Sequence, residues 1–222
     1  MKTFKLFLFV FLMLLPSMLS AQVNTKDSLS NGYLFTDFTD GFVLTKDGNR
    51  TPANLNYYCI QELMLFKDAN GQVMEFAVPE DVEAVTIGDR LFVNSTKSAF
   101  YEVIEVGKTC YYIQWIGKII SEGKGSGTGY GYTATTATTN LSGQLRPGSS
   151  KLKNDEKFIT KTECNYFLKI KNSYKRINTL GMLKKVYKGH EEEIDTFANE
   201  QKIDFSQSSQ ITKIVQFCSK FN

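Results

Sequence analysis

Few residues in this chain have types and spacing suited to chemistry. His190 is the only histidine, and Glu191, Glu192 and Glu193 follow it directly. An imidazole beside carboxylates suits proton transfer or zinc binding. Helical HExxH zinc chemistry needs a second histidine four residues on, and that position is Ile194. As a catalytic base, His190 would need a nucleophile delivered by the fold; serines, threonines and cysteines are plentiful, but none is marked by its spacing. Asp37/Asp40 and Glu80/Asp81 are paired acids of the kind used in glycoside hydrolysis or calcium binding, yet each pair sits beside turn formers, where solvated carboxylates are ordinary. No Asp-x-Asp-x-Asp calcium loop occurs. The expectation is no catalytic residue, no cofactor and no metal ligand.

Gly123, Gly125, Gly127, Gly129 and Gly131 alternate ahead of a Thr/Ala-rich stretch. A phosphate-cradling P-loop needs Gly-Lys-Ser/Thr opening a helix, and Lys124 is followed by Gly125 instead. A GxSxG nucleophile elbow is excluded because Lys124 lies two residues before Ser126. The segment 121–156 therefore reads as a mobile loop, and loops of that kind carry binding contacts. Tyr130 and Tyr132 in it are candidate ligand contacts, as is Trp115 in the β-rich part.

Cys59, Cys110, Cys164 and Cys218 are even in number, without CxxC or metal-ligand spacing. In an exported chain they can form disulfides, with three connectivities open. Two per half of the chain makes 59–110 with 164–218 the least demanding pairing. The alternative is that they are buried small apolar residues, as Cys218 would be beside Ile211, Ile214 and Val215.

The elements that must position these residues are strands first and helices last. From 33 to 120, apolar and aromatic runs are punctuated by Asp47-Gly48, Asp68-Ala69-Asn70-Gly71, Gly88-Asp89 and Gly107-Lys108. Turn signals about every 8–12 residues read as an antiparallel β-meander. Its long strands should curl into a half-barrel or sandwich-like shape. Tyr57-Tyr58, Phe100-Tyr101 and Tyr111-Tyr112 must place rings on both faces, since neighbours along a strand point oppositely. One face is core; the other is covered by helices or is an aromatic platform, with cover favoured. A further strand occupies 157–171. From 177 to 222 the period becomes helical, with three short amphipathic helices: Leu180, Leu183 and Val186-Tyr187 on the first, ended by Gly189; Ile194, Phe197 and Ala198 on the second, opened by glutamates; Ile211, Ile214, Val215 and Cys218 on the third, capped by Ser206 or Ser208. The fold class is α+β.

Lys2 and Lys5, the apolar run Leu6–Leu15, the breaker Pro16 and the small residues Ser20 and Ala21 have the layout of a cleavable signal peptide over 1–21. The run is too short to span a bilayer, which takes about 20 apolar residues. A flexible N-terminus over 22–32 would follow, in a soluble protein that does not span the membrane after cleavage. Residues 22–150 carry 10 basic and 14 acidic side chains, and 151–222 carry 14 and 9. The basic stretch 151–188 has no nucleic-acid motif around it, so it reads as a solvated face and not as a polyanion site.

Leu55-Asn56-Tyr57 followed by Gln61-Glu62-Leu63-Met64-Leu65-Phe66, then Ile87-Gly88-Asp89-Arg90-Leu91-Phe92, resembles a group of uncharacterised exported proteins of Bacteroidota. The tail Ile194–Phe221, broken at Ile203-Asp204-Phe205, is similar to their C-termini. That resemblance implies a cell-envelope address, namely periplasm, outer-membrane periphery or the exterior, and carries no activity or site residue with it. The functional expectation is a non-enzymatic binding or structural module for a protein or glycan partner. The alternatives are a hydrolase or transferase of unrecognised type and an assembly factor of an export or fibre system.

Overall fold

The computed structural model describes residues 32–95, 99–122 and 157–221. The expected signal peptide, residues 22–31 of the N-terminus, and the loop residues Tyr130 and Tyr132 lie outside them. The strands are β1 Thr39–Thr45, β2 Arg50–Tyr58, β3 Leu63–Lys67, β4 Val73–Glu75, β5 Val82–Ile87, β6 Arg90–Asn94, β7 Phe100–Val106, β8 Thr109–Glu122, β9 Lys157–Ile170 and β10 Ser173–Arg176. The helices are α1 Leu180–Val186, α2 Glu191–Glu200 and α3 Ser208–Cys218. All ten strands join one antiparallel sheet in the order β10-β9-β8-β7-β6-β5-β1-β2-β3-β4. The chain thus runs outward from β1 to one edge, returns, and pairs β5 with the free side of β1 before running outward again to β10. The architecture is α+β, mostly sheet, as the strand-then-helix pattern implied.

Local chemistry accounts for most boundaries. Gly48 and Gly71 take φ of 87° and 79° at the β1–β2 and β3–β4 reversals, a region glycine enters without steric cost. The β2–β3 reversal has no glycine: Glu62 adopts φ 58° there. β4 is only three residues long, ending at Glu75. Phe76 instead stacks on Phe66, with ring centroids 5.5 Å apart. β10 is an addition to the expected elements.

Alternation along the strands gives the sheet a concave and a convex face. Tyr57, Phe100 and Tyr111 enter one core with Val85, Phe92, Ile113 and Tyr166, while Tyr58 belongs to a separate cluster with Ile60 and Leu65. The adjacent aromatic pairs therefore split between the faces as strand geometry requires. Helix residues Leu183, Ile194, Ile211, Ile214, Val215 and Cys218 join the larger core. Tyr111 Oη meets Thr212 Oγ1 at 3.1 Å and donates to the Ser208 carbonyl at 3.4 Å, seating α3 on β8. The helices therefore cover the face that is already core, not a second one.

Each helix end has a chemical reason. Thr179 Oγ1 accepts from Met182 N at 3.2 Å to open α1, and Gly189 at φ 92° ends the turn after it. Glu191, Glu192 and Glu193 fill the first turn of α2, where the helix dipole favours negative charge. Lys184 Nζ reaches Asp195 Oδ2 at 2.6 Å and ties α1 to α2. For α3 the cap position is Gln207, and neither Ser206 nor Ser208 caps by side chain. Asp204 organises that entry instead, accepting from Ser206 N at 2.8 Å and Gln207 Nε2 at 3.0 Å.

The sheet is open as a ladder, yet its two halves meet at one crossing. Gly117 N on β8 donates to the Cys59 carbonyl at the end of β2 at 2.8 Å. A Cβ on Gly117 would lie 2.9 Å from Ile60 N, a backbone atom with nowhere to go. Beside the crossing, Asn56 stands in for missing backbone partners: its side chain accepts from Phe35 N at 3.2 Å and donates to the Phe35 carbonyl at 2.9 Å. Gly117→Ala should therefore cost about 2–3 kcal/mol of stability through overpacking against rigid backbone. Urea unfolding of the two proteins checks this; an unchanged midpoint would show that the crossing is slack.

Candidate functional site

Three residues from successive strands converge inside the curl. Register places Arg90 on β6 opposite Ile87, Glu102 on β7 opposite Phe92, and Trp115 on β8 opposite Cys164, all pointing to the concave side. Arg90 Nε and Nη2 donate to Glu102 Oε1 and Oε2 at 2.6 and 2.7 Å, a bidentate pair. Trp115 Nε1 donates to the same Oε2 at 2.7 Å. The guanidinium carbon lies 4.8 Å from the Phe35 ring centre, 5.6 Å from that of Phe92 and 5.3 Å from that of Trp115. Glu102 is 2% exposed and Arg90 22%. The carboxylate is occupied by three donors, and the cation is enclosed by ring faces. This arrangement holds strands together.

Trp115 is therefore corrected from a candidate ligand contact to a core residue. It is 3% exposed, and its one donor is committed to Glu102. Buried indole finds an internal hydrogen-bond acceptor, which is what draws it inward.

The cysteines separate into distinct settings. Cys59 is buried at the end of β2, and Cys164 is half-buried on β9. Burial pushes the Cys164 thiol up to about 12 and raises that of Cys59 further, the nearby Cys164 sulfur adding to the effect. Cys110 lies on the convex side, its Sγ 3.5 Å from Tyr112 Oη. Cys218 is buried in α3, its thiol likewise raised to about 12 by burial. The 59–110 pairing is ruled out by this fold. Cys59 meets β8 at Gly117, seven residues along from Cys110, or roughly 23 Å at the rise of a strand.

Several aromatic groups keep partial exposure among the described residues, Tyr33 with Phe38 and Tyr58 being one. On the convex side, Tyr101, Tyr112, Phe167 and Tyr174 contact one another, with Tyr101 stacked on Phe167 at 5.1 Å and Tyr174 edge-on to Tyr112 at 5.0 Å. Tyr101 is only 8% exposed, so much of this set is consumed by its own packing. A further group lies on the helices. Phe197 of α2 stacks on Phe217 of α3 at 4.0 Å, Phe217 meets Phe221 edge-on at 5.6 Å, and Phe221 stacks on His190 at 4.0 Å. Spacing explains the array: Glu192, Thr196 and Glu200 repeat every fourth residue beside Glu193 and Phe197, while Phe217 and Phe221 repeat on the facing side. These helices frame an open depression of about 400 Å³ lined by Glu192, Glu193, Thr196, Phe197, Glu200 and Phe217. Lys220 Nζ lies 3.8 Å from the Phe217 ring centre and 3.4 Å from Glu193 Oε2.

His190 belongs to this array. It occupies the cap position of α2 with its side chain 38% exposed, its Nδ1 3.1 Å from Glu193 Oε1 and one ring face against Phe221. Its hydrogen bond holds the Glu193 carboxyl below the usual range, with help from Lys220. The arrangement is a hydrogen-bonded His190–Glu193 pair on an aromatic shelf. Among the described residues no group of three or more metal-ligating side chains occurs, and no helix is long and apolar enough to cross a membrane. Periodicity within α2 and α3 was visible in the sequence, Phe197 being half-buried against the core on the face expected of it; that it stacks on Phe217 was not, because the angle between helices is set by tertiary packing.

Removing one partner of the interior ion pair strands the other. Glu102→Ala should cost about 3–5 kcal/mol and redshift the emission of Trp115, the only tryptophan; a denaturant titration followed by fluorescence measures both. Burial also raises Tyr111 from 10.0 to about 12, with Tyr57 and Tyr166 raised as well. The folded state thus keeps protons that the unfolded state releases. The stability this contributes is full below pH 10 and is lost as pH rises through about 12. Tyrosinate absorbance should rise in two stages, the second coinciding with loss of the far-ultraviolet signal.

No protein-family model matches this chain, and no curated protein or solved structure does either.

Proposed function

We propose that this is an exported, non-enzymatic binding protein of the cell envelope whose α2–α3 face takes a segment of a protein partner carrying basic and apolar side chains. The observation that carries this reading is the open depression in which the Phe197–Phe217 stack is bordered by Glu192, Glu193 and Glu200. Planar rings offer contact area at small entropic cost, and a carboxylate row favours cations near the surface and steers their approach. His190 supports the face as a shelf residue, bound to Glu193 and Phe221. Export is supported by the n-region, apolar run and small-residue site over residues 1–21 and by the resemblance to exported Bacteroidota proteins.

Two measurements test this. An array of Lys/Arg- and aromatic-containing peptides, run beside a glycan array, should give peptide binders that Phe217→Ala weakens at least tenfold. Glu192→Gln with Glu200→Gln should weaken them further and flatten their salt dependence. Binding confined to glycans, or peptide binding indifferent to these changes, would overturn the protein-partner reading. For export, the N-terminus of the chain recovered from its host should be Gln22 in the envelope or external fraction; an intact Met1 in the cytosol sinks it.

A further inference from the structure

We propose that Cys59 and Cys164 form a disulfide that ties the β2–β3 turn to β9 across the open side of the curled sheet. The placement follows from backbone geometry. Gly117 N holds the Cys59 carbonyl at 2.8 Å, and Cys59 leads into the reversal that contains Glu62. On the other side, the β8–β9 ladder pairs Gly117 with Thr162 and Trp115 with Cys164, so Cys164 stands one concave-facing pair along from the crossing. Residues 57 and 59 share parity on β2 and its extension, and Tyr57 points into the concave core; Cys164 faces the same way opposite Trp115. In the structure both are free thiols, Cys59 in the concave core and Cys164 packed against it; the Cys164 sulfur acts electrostatically on Cys59, as Arg90 does on both.

Cys110 lies on the convex side beside Tyr112, and Cys218 in the helical layer, so neither competes. Oxidation of the pair removes two protons and two electrons and forms one S–S bond. A small disulfide oxidant, through a mixed disulfide, takes them up and leaves as two thiols. Because burial holds both thiols protonated, the exchange belongs to the folding chain and not to the finished one. Once formed, the bond links residues far apart in sequence, which constrains the unfolded chain strongly.

The inference rests on the export reading only for an oxidising environment, so its test supplies the oxidant separately. Protein purified from its host is reduced in denaturant, refolded in mixed reduced and oxidised glutathione, and digested without reduction. The expected result is one linked peptide pair containing Cys59 and Cys164, with Cys110 and Cys218 alkylatable. Relative to the reduced form, the unfolding midpoint should rise by roughly 10 °C. Cys110→Ser with Cys218→Ala should retain the link. Four free thiols after refolding, or any other pairing, overturns the proposal. The expected link in refolded protein, with free thiols in protein taken directly from cells, upholds the pairing and overturns export instead.

Discussion

The Glu102 carboxylate is the constraint around which the rest is arranged. A charge that is 2% exposed is costly unless its lone pairs are occupied. Here Arg90 and Trp115 occupy them from the two strands on either side of β7. This fixes the relative register of β6, β7 and β8, since a slip of one residue would turn each partner to the convex face. It also sets the fate of Trp115 and places Phe35 and Phe92 against the guanidinium. The pair need not be a source of net stability to have this effect. What it excludes is any alternative register.

Much of the architecture was legible because it is written in local chemistry. Asp47-Gly48 and Gly71 mark reversals, doubled aromatics mark two-faced strands, and Gly189 with the glutamates after it marks the joint between α1 and α2. What could not be read depends on contacts distant in sequence. The β2–β3 reversal contains neither glycine nor proline, and Glu62 is held at positive φ while its carboxylate accepts from Gln114, 52 residues away. β10 is a lysine- and arginine-containing tetrapeptide that becomes strand because β9 offers it an edge. Trp115 looked like a surface anchor because nothing near it in sequence announces Glu102. The aromatic groups at the surface were foreshadowed by composition alone.

Division of labour between the two layers follows from this. The sheet's interior is committed to packing and to one ion pair. Its convex aromatics are largely satisfied by one another. The helices have their apolar stripes in the common core, with Phe197, Phe217 and Phe221 half-buried at its rim and the acids outside, where the depression lies. Glu192, Glu193 and Glu200 are exposed, so a substitution at these carboxylates of the depression changes surface chemistry.

The strand order has a consequence for how the chain reaches this state. Every ladder except β1–β5 joins strands consecutive in sequence, so most of the sheet can assemble from hairpins that close short loops. Among the ladders, β1–β5 alone joins the two outward-running halves. At that join Gly41 lies so close to its neighbour that an added Cβ would sit 1.9 Å from the Thr86 carbonyl oxygen. The absence of a side chain at Gly41 thus lets the two halves dock, and any larger residue there would clash with the Thr86 carbonyl of the folded sheet.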